Sequence, residues 1–385
     1  MFYIASEDDL KKGRVTDVYF ERGLKILQAN GISKHVTMEI RTKGLPSNWP
    51  WAVFAGLEEV VELLKDKPVN VRAMREGTVF YPYDPVLEIE GRYEDFGVYE
   101  TEILGLICQA SGVTTGAARV KRAAGGKPVF SFGARRMHPA IAPMIERSAY
   151  IGGCDGVADM LGAQKIGIQP VGTIPHAIIL IIGDTVTSAL AFDEIIEPDV
   201  PRLILIDTFL DERFEAVRVA QALKERLYGI RFDTPGSRRG DMKRIVLETK
   251  WELELRGYTG IKFMVSGGLD EAKVDELKEV VDLFGVGTYI SNSPVVDFAM
   301  DIVEIEHQPF SKRGKESGRK TVQRCTGCGR RMVSRYPAGT DKCGLCGGRF
   351  EELMMPVIEN GRVVAQMPRS GAVRDYRAEE MNKIL

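Results

Sequence analysis

Arginine, aspartate, histidine and glycine recur at the ends of short apolar runs in the middle of this chain, a placement suited to chemistry on an anionic substrate. Residues 128–132 form a β-branched and aromatic run that leads into Gly133, Arg135, Arg136 and His138. It reads as a buried strand opening into a cationic loop, whose planar guanidinium forks match phosphate or carboxylate. Later runs end at Asp155, at Thr173 and His176, at Asp207 and Thr208, at Asp233, at Ser266, Gly267 and Gly268, and at Gly285, Gly287 and Thr288. In parallel α/β sheets and barrels, chemistry gathers at the carboxyl ends of the strands. The polar residues fall at that edge.

The elements that must hold them alternate. About seven apolar runs of strand length, down to residue 290, are separated by stretches of helical pattern. That alternation predicts a parallel sheet covered by helices. The first hundred residues differ: 36–40 and 85–90 alternate as half-buried antiparallel strands, 69–73 reads as a strand, and 55–65 reads as a helix. Residues 15–20 open an amphipathic helix that Thr16 or Asp17 could cap. A helical passage over 100–121, rich in small residues, joins the two parts, and 301–307 alternates again, as if the chain returns to the first sheet. The expected architecture is an incomplete α/β barrel of about seven strands over 113–299. It is preceded by an α+β open sandwich over 1–112 with a return segment at 300–310, and followed by a small module over 311–385.

That last module carries two C-x-x-C pairs, Cys325 with Cys328 and Cys343 with Cys346, with 14 residues between them. Four thiolates on two glycine turns suit the closed tetrahedral site of structural Zn2+, and a zinc ribbon is expected. Cys108 and Cys154 are left as buried thiols. Lys312, Arg313, Lys315, Arg319 and Lys320 read as a basic, flexible linker before the ribbon, which admits a rival reading as a zinc-ribbon nucleic-acid-binding protein. Against it, 52 Lys and Arg nearly balance 54 Asp and Glu. The 385 residues, 44% of them hydrophobic, allow two or three domains with a sizeable core. No apolar run reaches membrane-spanning length and the start lacks the pattern of a signal peptide, so a cytoplasmic protein is expected.

In chain order, Thr16 to Phe20, Gly77-Thr-Val-Phe-Tyr-Pro, Glu100-Thr-Glu-Ile-Leu, Phe132-Gly-Ala-Arg-Arg136, Gly172-Thr-Ile-Pro-His176, Arg231-Phe-Asp233 and the glycine turns at 267–268 and 285–287 form an ordered set. The set resembles the nicotinate phosphoribosyltransferases, of the branch that shares its architecture with the nicotinamide and quinolinate enzymes. The resemblance implies transfer of phosphoribose from phosphoribosyl pyrophosphate to nicotinate, yielding the mononucleotide and pyrophosphate for NAD synthesis. It also implies a homodimer or higher homo-oligomer whose sites are completed by a second subunit. Nicotinamide and quinolinate are the nearest rival substrates. Membranes and nucleic acid are not expected partners.

Such a transfer passes through an oxocarbenium-like state, so positioning and electrostatics dominate. Ser266, Gly267, Gly268, Gly285, Gly287 and Thr288 offer backbone N–H groups as a cradle for the ribose 5-phosphate. The bland reading of those glycines is tight βα turns. Asp207 and Asp233 suit ribose hydroxyls and catalytic Mg2+. By resemblance, Phe132 and Arg135 meet the pyridine ring and Tyr19 of a neighbouring subunit closes over it. Arg136 is left open between ring and phosphate, and Asp155, Thr173 and Arg231 are further substrate-binding positions. His176 matches the position phosphorylated by ATP, a co-substrate, in coupling hydrolysis to synthesis. His138 is open between phosphate contact and helix start. Pro175 departs from the family pattern.

Overall fold

The computed structural model describes residues 2–238 and 240–383; the ends of the expected outer domains at 1, 384 and 385 lie outside them. Two compact units result, Met1–Thr115 with Pro294–Leu385, and Gly116–Ser293. The tail is thus not a separate module. Its strand Met354–Glu359 pairs antiparallel with Val69–Met74, and Val322, Met354, Val357 and Ile358 lie in the same apolar core as the N-terminal strands. A short ribbon cannot bury enough apolar surface alone, and here it shares a larger core.

The first unit is built on a seven-stranded antiparallel sheet. Its order is Gln308–Pro309, Ala299–Ile305, His35–Arg41, Pro85–Arg92, Val69–Met74, Met354–Glu359, Arg362–Val363. The expected return at 301–307 is therefore a strand beside His35–Arg41. Alternation puts Val36, Met38, Ile40, Val71, Leu87 and Ile89 on the core side with Val60, Val61 and Leu64 of helix Leu57–Leu64. Each such side chain, fully buried, contributes roughly 1.5–3 kcal/mol. Asp17 sits at the N-cap of helix Val18–Ala29 without capping it; its carboxylate instead accepts from Thr101 Oγ1 at 3.3 Å.

The other face of this sheet carries charge, and the supposed linker neutralises it. Arg319 reaches Glu88 at 2.6 Å and Glu90 at 3.0 Å, Lys320 reaches Glu39 at 3.1 Å, and Lys312 and Lys315 both pair with Asp301. Burial pushes the Glu39 carboxyl up, against the pull of Lys320 and Arg41. Four of the five basic residues are thus committed to acids of the sheet, so the segment is neither a loose linker nor a free cationic patch. Buried carboxylates left without them would carry a desolvation cost of several kcal/mol each.

The second unit holds a parallel sheet of six strands, ordered Gly156–Val157, Val129–Ser131, Leu283–Val286, Lys262–Ser266, Gly229–Phe232, Leu203–Leu205. The first strand in sequence pairs with the last, which is the cyclic order of an α/β barrel opened at one place. The opening lies between Val157 and Leu203. The seventh expected strand, 168–171, is absent as a strand: Pro170 has no N–H to give, and only Val171 N donates to Val157 O, at 2.9 Å. Asp159, Asp184, Asp211, Asp241 and Asp270 each accept a backbone N–H at the start of a helix, which fixes where those helices begin. No helix among the described residues is long and apolar enough to cross a membrane.

Candidate active site

Three adjacent strands deliver a connected set of polar side chains to one edge. Arg231, inside Gly229–Phe232, donates from Nε to Ser266 Oγ at 2.9 Å and from Nη1 to Thr173 Oγ1 at 2.8 Å. Its Nη2 lies 3.3 Å from Asp233 Oδ2, and Ser266 Oγ donates to Asp233 Oδ1 at 2.7 Å. One guanidinium therefore ties the ends of two strands to the segment that leads to His176. Its carbon also sits 5.3 Å from the centre of the Phe132 ring. That ring packs against Gly285, where an added Cβ would stand 2.6 Å from it. Glycine at 285 is needed for that contact.

His176 is the first residue of helix His176–Ile182, with Pro175 at the N-cap, where the extended backbone of proline is at home. Its Nδ1 lies 3.0 Å from Thr208 Oγ1, and its Nε2 lies 3.7 Å from Asp207 Oδ1 and 3.7 Å from Asp233 Oδ2. The Asp207 side chain is only 3% exposed, and its Oδ1 has no hydrogen-bond partner. Burial pushes that carboxyl up; His176 opposes the shift and the Asp233 carboxylate adds to it. Two carboxylates at one edge, one with an unsatisfied buried oxygen, offer the kind of oxygen donor that a hard divalent cation takes, whereas the imidazole between them does not.

The glycine turns differ in what they leave open. Gly267, at φ +84°, and Gly268 stand exposed at the strand end. The next helix, Glu271–Leu277, is already capped, since Asp270 Oδ1 takes the Lys273 N–H at 2.9 Å. The helix end is therefore already satisfied, and the exposed glycine turn before it is not part of that cap. Gly287 and Thr288 open the short helix Thr288–Ser291, which no side chain caps. Arg135 and Arg136 lie exposed in a 3-10 turn that follows strand Val129–Ser131 after Phe132 and Gly133. His138 is exposed and its Nδ1 accepts from Ala140 N at 3.2 Å, so it starts the following turn.

One expected position is not brought to this edge. Asp155 precedes its strand: its carboxylate accepts from Val129 N at 2.9 Å and pairs with Lys121 at 2.7 Å, at the amino ends of the strands. A Cys-Asp-Gly turn gives no sign in sequence of which end of a strand it marks. Tyr19, expected to serve the site of a neighbouring subunit, is exposed on helix Val18–Ala29, its ring 4.3 Å from that of Phe20. Thr208 and Glu212 are given no role by sequence. Thr208 immediately follows Asp207, which is the one signal that could have assigned it, and Glu212 accepts from Thr234 Oγ1 at 2.5 Å.

In the tail, the four cysteines converge. Cys325 and Cys346 sulfurs are 3.4 Å apart, those of Cys328 and Cys343 are 3.7 Å apart, and all four lie within 4.8 Å of one another. A tetrahedron with metal–sulfur bonds of about 2.3 Å has edges of about 3.8 Å. Gly327 and Gly348 point N–H groups at the Cys325 and Cys346 sulfurs at 3.4 Å. All four are free thiols, and the backbone N–H of Cys328 is the main cause that brings Cys325 down to about 6. This donor set fits Zn2+.

An opened α/β barrel with phosphate-sized glycine turns and paired carboxylates at its carboxyl edge is the plan of one class of phosphoribosyltransferase. The family description "quinolinate phosphoribosyl transferase, N-terminal domain" matches residues 17–111, and its C-terminal counterpart matches 113–301. The chain is 53% identical to a nicotinate-nucleotide pyrophosphorylase from Pyrococcus furiosus, covering 99% of this chain and 98% of that one with a TM-score of 0.97. The chain belongs to the quinolinate and nicotinate phosphoribosyltransferase family. A nicotinate phosphoribosyltransferase of Mycobacterium tuberculosis is 27% identical over 96% of this chain and 87% of its own length. The human nicotinic acid phosphoribosyltransferase shares the fold, with a TM-score of 0.78 at 19% identity over 96% and 94% of the two chains.

Proposed function

We propose that this protein is a nicotinate phosphoribosyltransferase, which forms nicotinate mononucleotide and pyrophosphate from nicotinate and phosphoribosyl pyrophosphate. The observation that carries the reading is the set at the barrel edge: His176 between Asp207 and Asp233, tied through Arg231 to Ser266 and Thr173. Gly267, Gly268, Gly287 and Thr288 hold the 5-phosphate through backbone N–H groups. Asp233 and Asp207 place negative charge beside the ribose as its C1 becomes electron-poor, which stabilises the oxocarbenium-like state. Arg135 or Arg136 meets the nicotinate carboxylate, with Phe132 on the ring face. Asp207 and Asp233 would hold Mg2+, whose charge favours departure of pyrophosphate. Cys325, Cys328, Cys343 and Cys346 hold structural Zn2+.

Coupling to ATP is read through His176. With its proton on Nδ1, donated to Thr208 Oγ1, Nε2 keeps its lone pair and is the atom that attacks the γ-phosphorus of ATP, forming the N–P bond as the P–O bond to the departing ADP breaks. A homo-oligomer with shared sites is supported by an apolar face on the helices beside the barrel opening, where Leu180 is 57%, Ile181 79% and Ile195 76% exposed.

Pyrophosphate release tests the reading, with nicotinate, nicotinamide or quinolinate as acceptor, each with and without ATP, in wild type and His176→Ala. Selective turnover of nicotinate, raised by ATP only where His176 is present, is expected. Turnover of quinolinate would reassign the substrate, and ATP stimulation surviving His176→Ala would remove the phosphohistidine.

A further inference from the structure

Two of the four histidines lie far from the barrel edge in sequence and meet each other in the first unit. His35 begins the strand His35–Arg41, and His307 stands in the two-residue turn between Ala299–Ile305 and Gln308–Pro309, 272 positions later. Their ring centres are 4.6 Å apart. Between them stands Glu90, whose Oε1 is 4.0 Å from His35 Nε2 and 3.8 Å from His307 Nδ1. One nitrogen from each histidine and one glutamate oxygen all lie within 4.8 Å of each other.

We infer that His35, Glu90 and His307 form a second metal site, taking a divalent cation of the Zn2+ class at the end of the antiparallel sheet. Two imidazole nitrogens and one carboxylate oxygen are a three-ligand set for such an ion, which leaves a fourth position for water. With bonds of about 2.0–2.1 Å, a tetrahedral set has edges of about 3.3 Å, so the two histidine–Glu90 separations of 4.0 and 3.8 Å must close by well under one ångström when the ion is bound. The water position has room, because the His307 side chain is 65% exposed while Glu90 is 14% exposed.

The support around the ligands is already in place. Arg319 Nη1 donates to the other Glu90 oxygen at 3.0 Å, which aims Oε1 at the histidines. The one further carboxylate at the turn, Glu306, is engaged by the backbone N–H of His35 at 3.0 Å and is not needed as a ligand. The backbone of the turn adds a second argument. Glu306 at φ +49° and His307 at φ +60° occupy positions where Asn-Gly is the unstrained choice. A histidine held there does nothing for the turn. It does place an imidazole over Glu90. With nitrogen and oxygen donors, this site differs in chemistry from the all-sulfur site of the tail, and its effect is to fasten the 306–307 turn to two neighbouring strands.

The test compares full-length wild type with His307→Asn, which suits the turn, and with His35→Gln. Each protein is equilibrated with micromolar Zn2+ and its bound zinc is counted, and melting is followed against Zn2+ concentration. Wild type is expected to hold one more zinc per chain than either variant, and its melting temperature to rise with Zn2+ over a range where the variants stay flat. Equal zinc counts in the three proteins, or a zinc-dependent rise of the same size in all three once the cysteine site is filled, would overturn the site.

Discussion

Ser266 Oγ donates a 2.7 Å hydrogen bond to Asp233 Oδ1, which turns the other carboxylate oxygen toward His176 and Arg231. The carboxylate is therefore oriented before any substrate arrives, and pre-set charge is what oxocarbenium chemistry uses. Asp233→Asn should lower kcat by about 10²-fold with the fold kept. Ser266→Ala, which only frees the carboxylate to rotate, should cost about tenfold. Gly267→Ala should weaken binding of phosphoribosyl pyrophosphate and cost about 1–2 kcal/mol, since residue 267 has φ +84° and its Cβ would stand 2.9 Å from Asp233 Oδ1. Steady-state kinetics and urea melts on the three variants separate these outcomes.

Arg202 gives a stability prediction that no sequence pattern announces. Its guanidinium, in a residue 8% exposed, donates to Asp193 Oδ1 and to the backbone oxygens of Asp193, Ile196, Glu197 and Val200 at 2.6–3.0 Å. It thereby closes the carboxyl end of helix Thr185–Ile195 onto the strand Leu203–Leu205. Arg202→Ala leaves four backbone oxygens without their donor and Asp193 with Arg226 alone, and should cost about 3 kcal/mol. At about 2–4 °C per kcal/mol, calorimetry should find a fall of about 10 °C. Arg202→Lys should recover little, because an ammonium cannot reach five acceptors spread in a plane.

What sequence reveals here follows how local each feature is. The alternation of Val36, Met38 and Ile40, and apolar runs ending in Asp207, Asp233 or Ser266, are written within a few residues, and their strands form where expected. Pairings across hundreds of positions are not written locally. Arg319 meets Glu88 from 231 positions away, so a segment that looks like a charged linker is a buried cover for a charged sheet face. Asp155 shows a different limit, because a polar residue beside a strand does not say at which end of the strand it stands. The seventh run failed for a local reason that was visible, Pro170. The one aspartate read as a possible cap, Asp17, caps nothing, while the five that do cap helices went unread.

Metal removal tests the tail. The cysteine turns sit on the strand Lys320–Cys325, and Val322 of that strand is fully buried in the core of the first unit. Loss of the ion should thus loosen the larger sheet and not merely fray an end. A strong chelator, or Cys328→Ser, should release zinc and lower the first melting transition by several degrees, because structural zinc binding is folding free energy. Unchanged melting after the metal is gone would mean that the shared core holds the ribbon unaided.

The apolar face next to His176 predicts the state of assembly. Ile181→Asp puts a charge on a side chain that is 79% exposed in the single chain. A folded monomer tolerates it, whereas a packed interface carries a buried unpaired carboxylate at several kcal/mol. Sedimentation should show wild type as a dimer or larger and the variant as a monomer. If sites are shared, the monomer also loses turnover while keeping its circular dichroism. A wild type that sediments as a monomer would end the shared-site reading.

Glu146 sets a pH dependence. It is fully buried in helix Ala142–Ile151, and burial pushes its carboxyl from 4.5 up to about 7, an effect that the polar groups of Ser131, Asp159 and Ala158 offset only in part. Between those two values the folded protein keeps a proton that the unfolded chain has released. Stability contributed by this residue is therefore present below about pH 4.5, declines as pH rises toward 7, and is flat above. The full decline is about 3 kcal/mol, at about 1.4 kcal/mol for each pH unit of the shift. Glu146→Gln has the same shape and no proton to lose. The variant should match wild type in urea midpoint near pH 4.5 and exceed it at pH 8, and a difference that stays constant across that range would show that Glu146 titrates as an ordinary carboxyl.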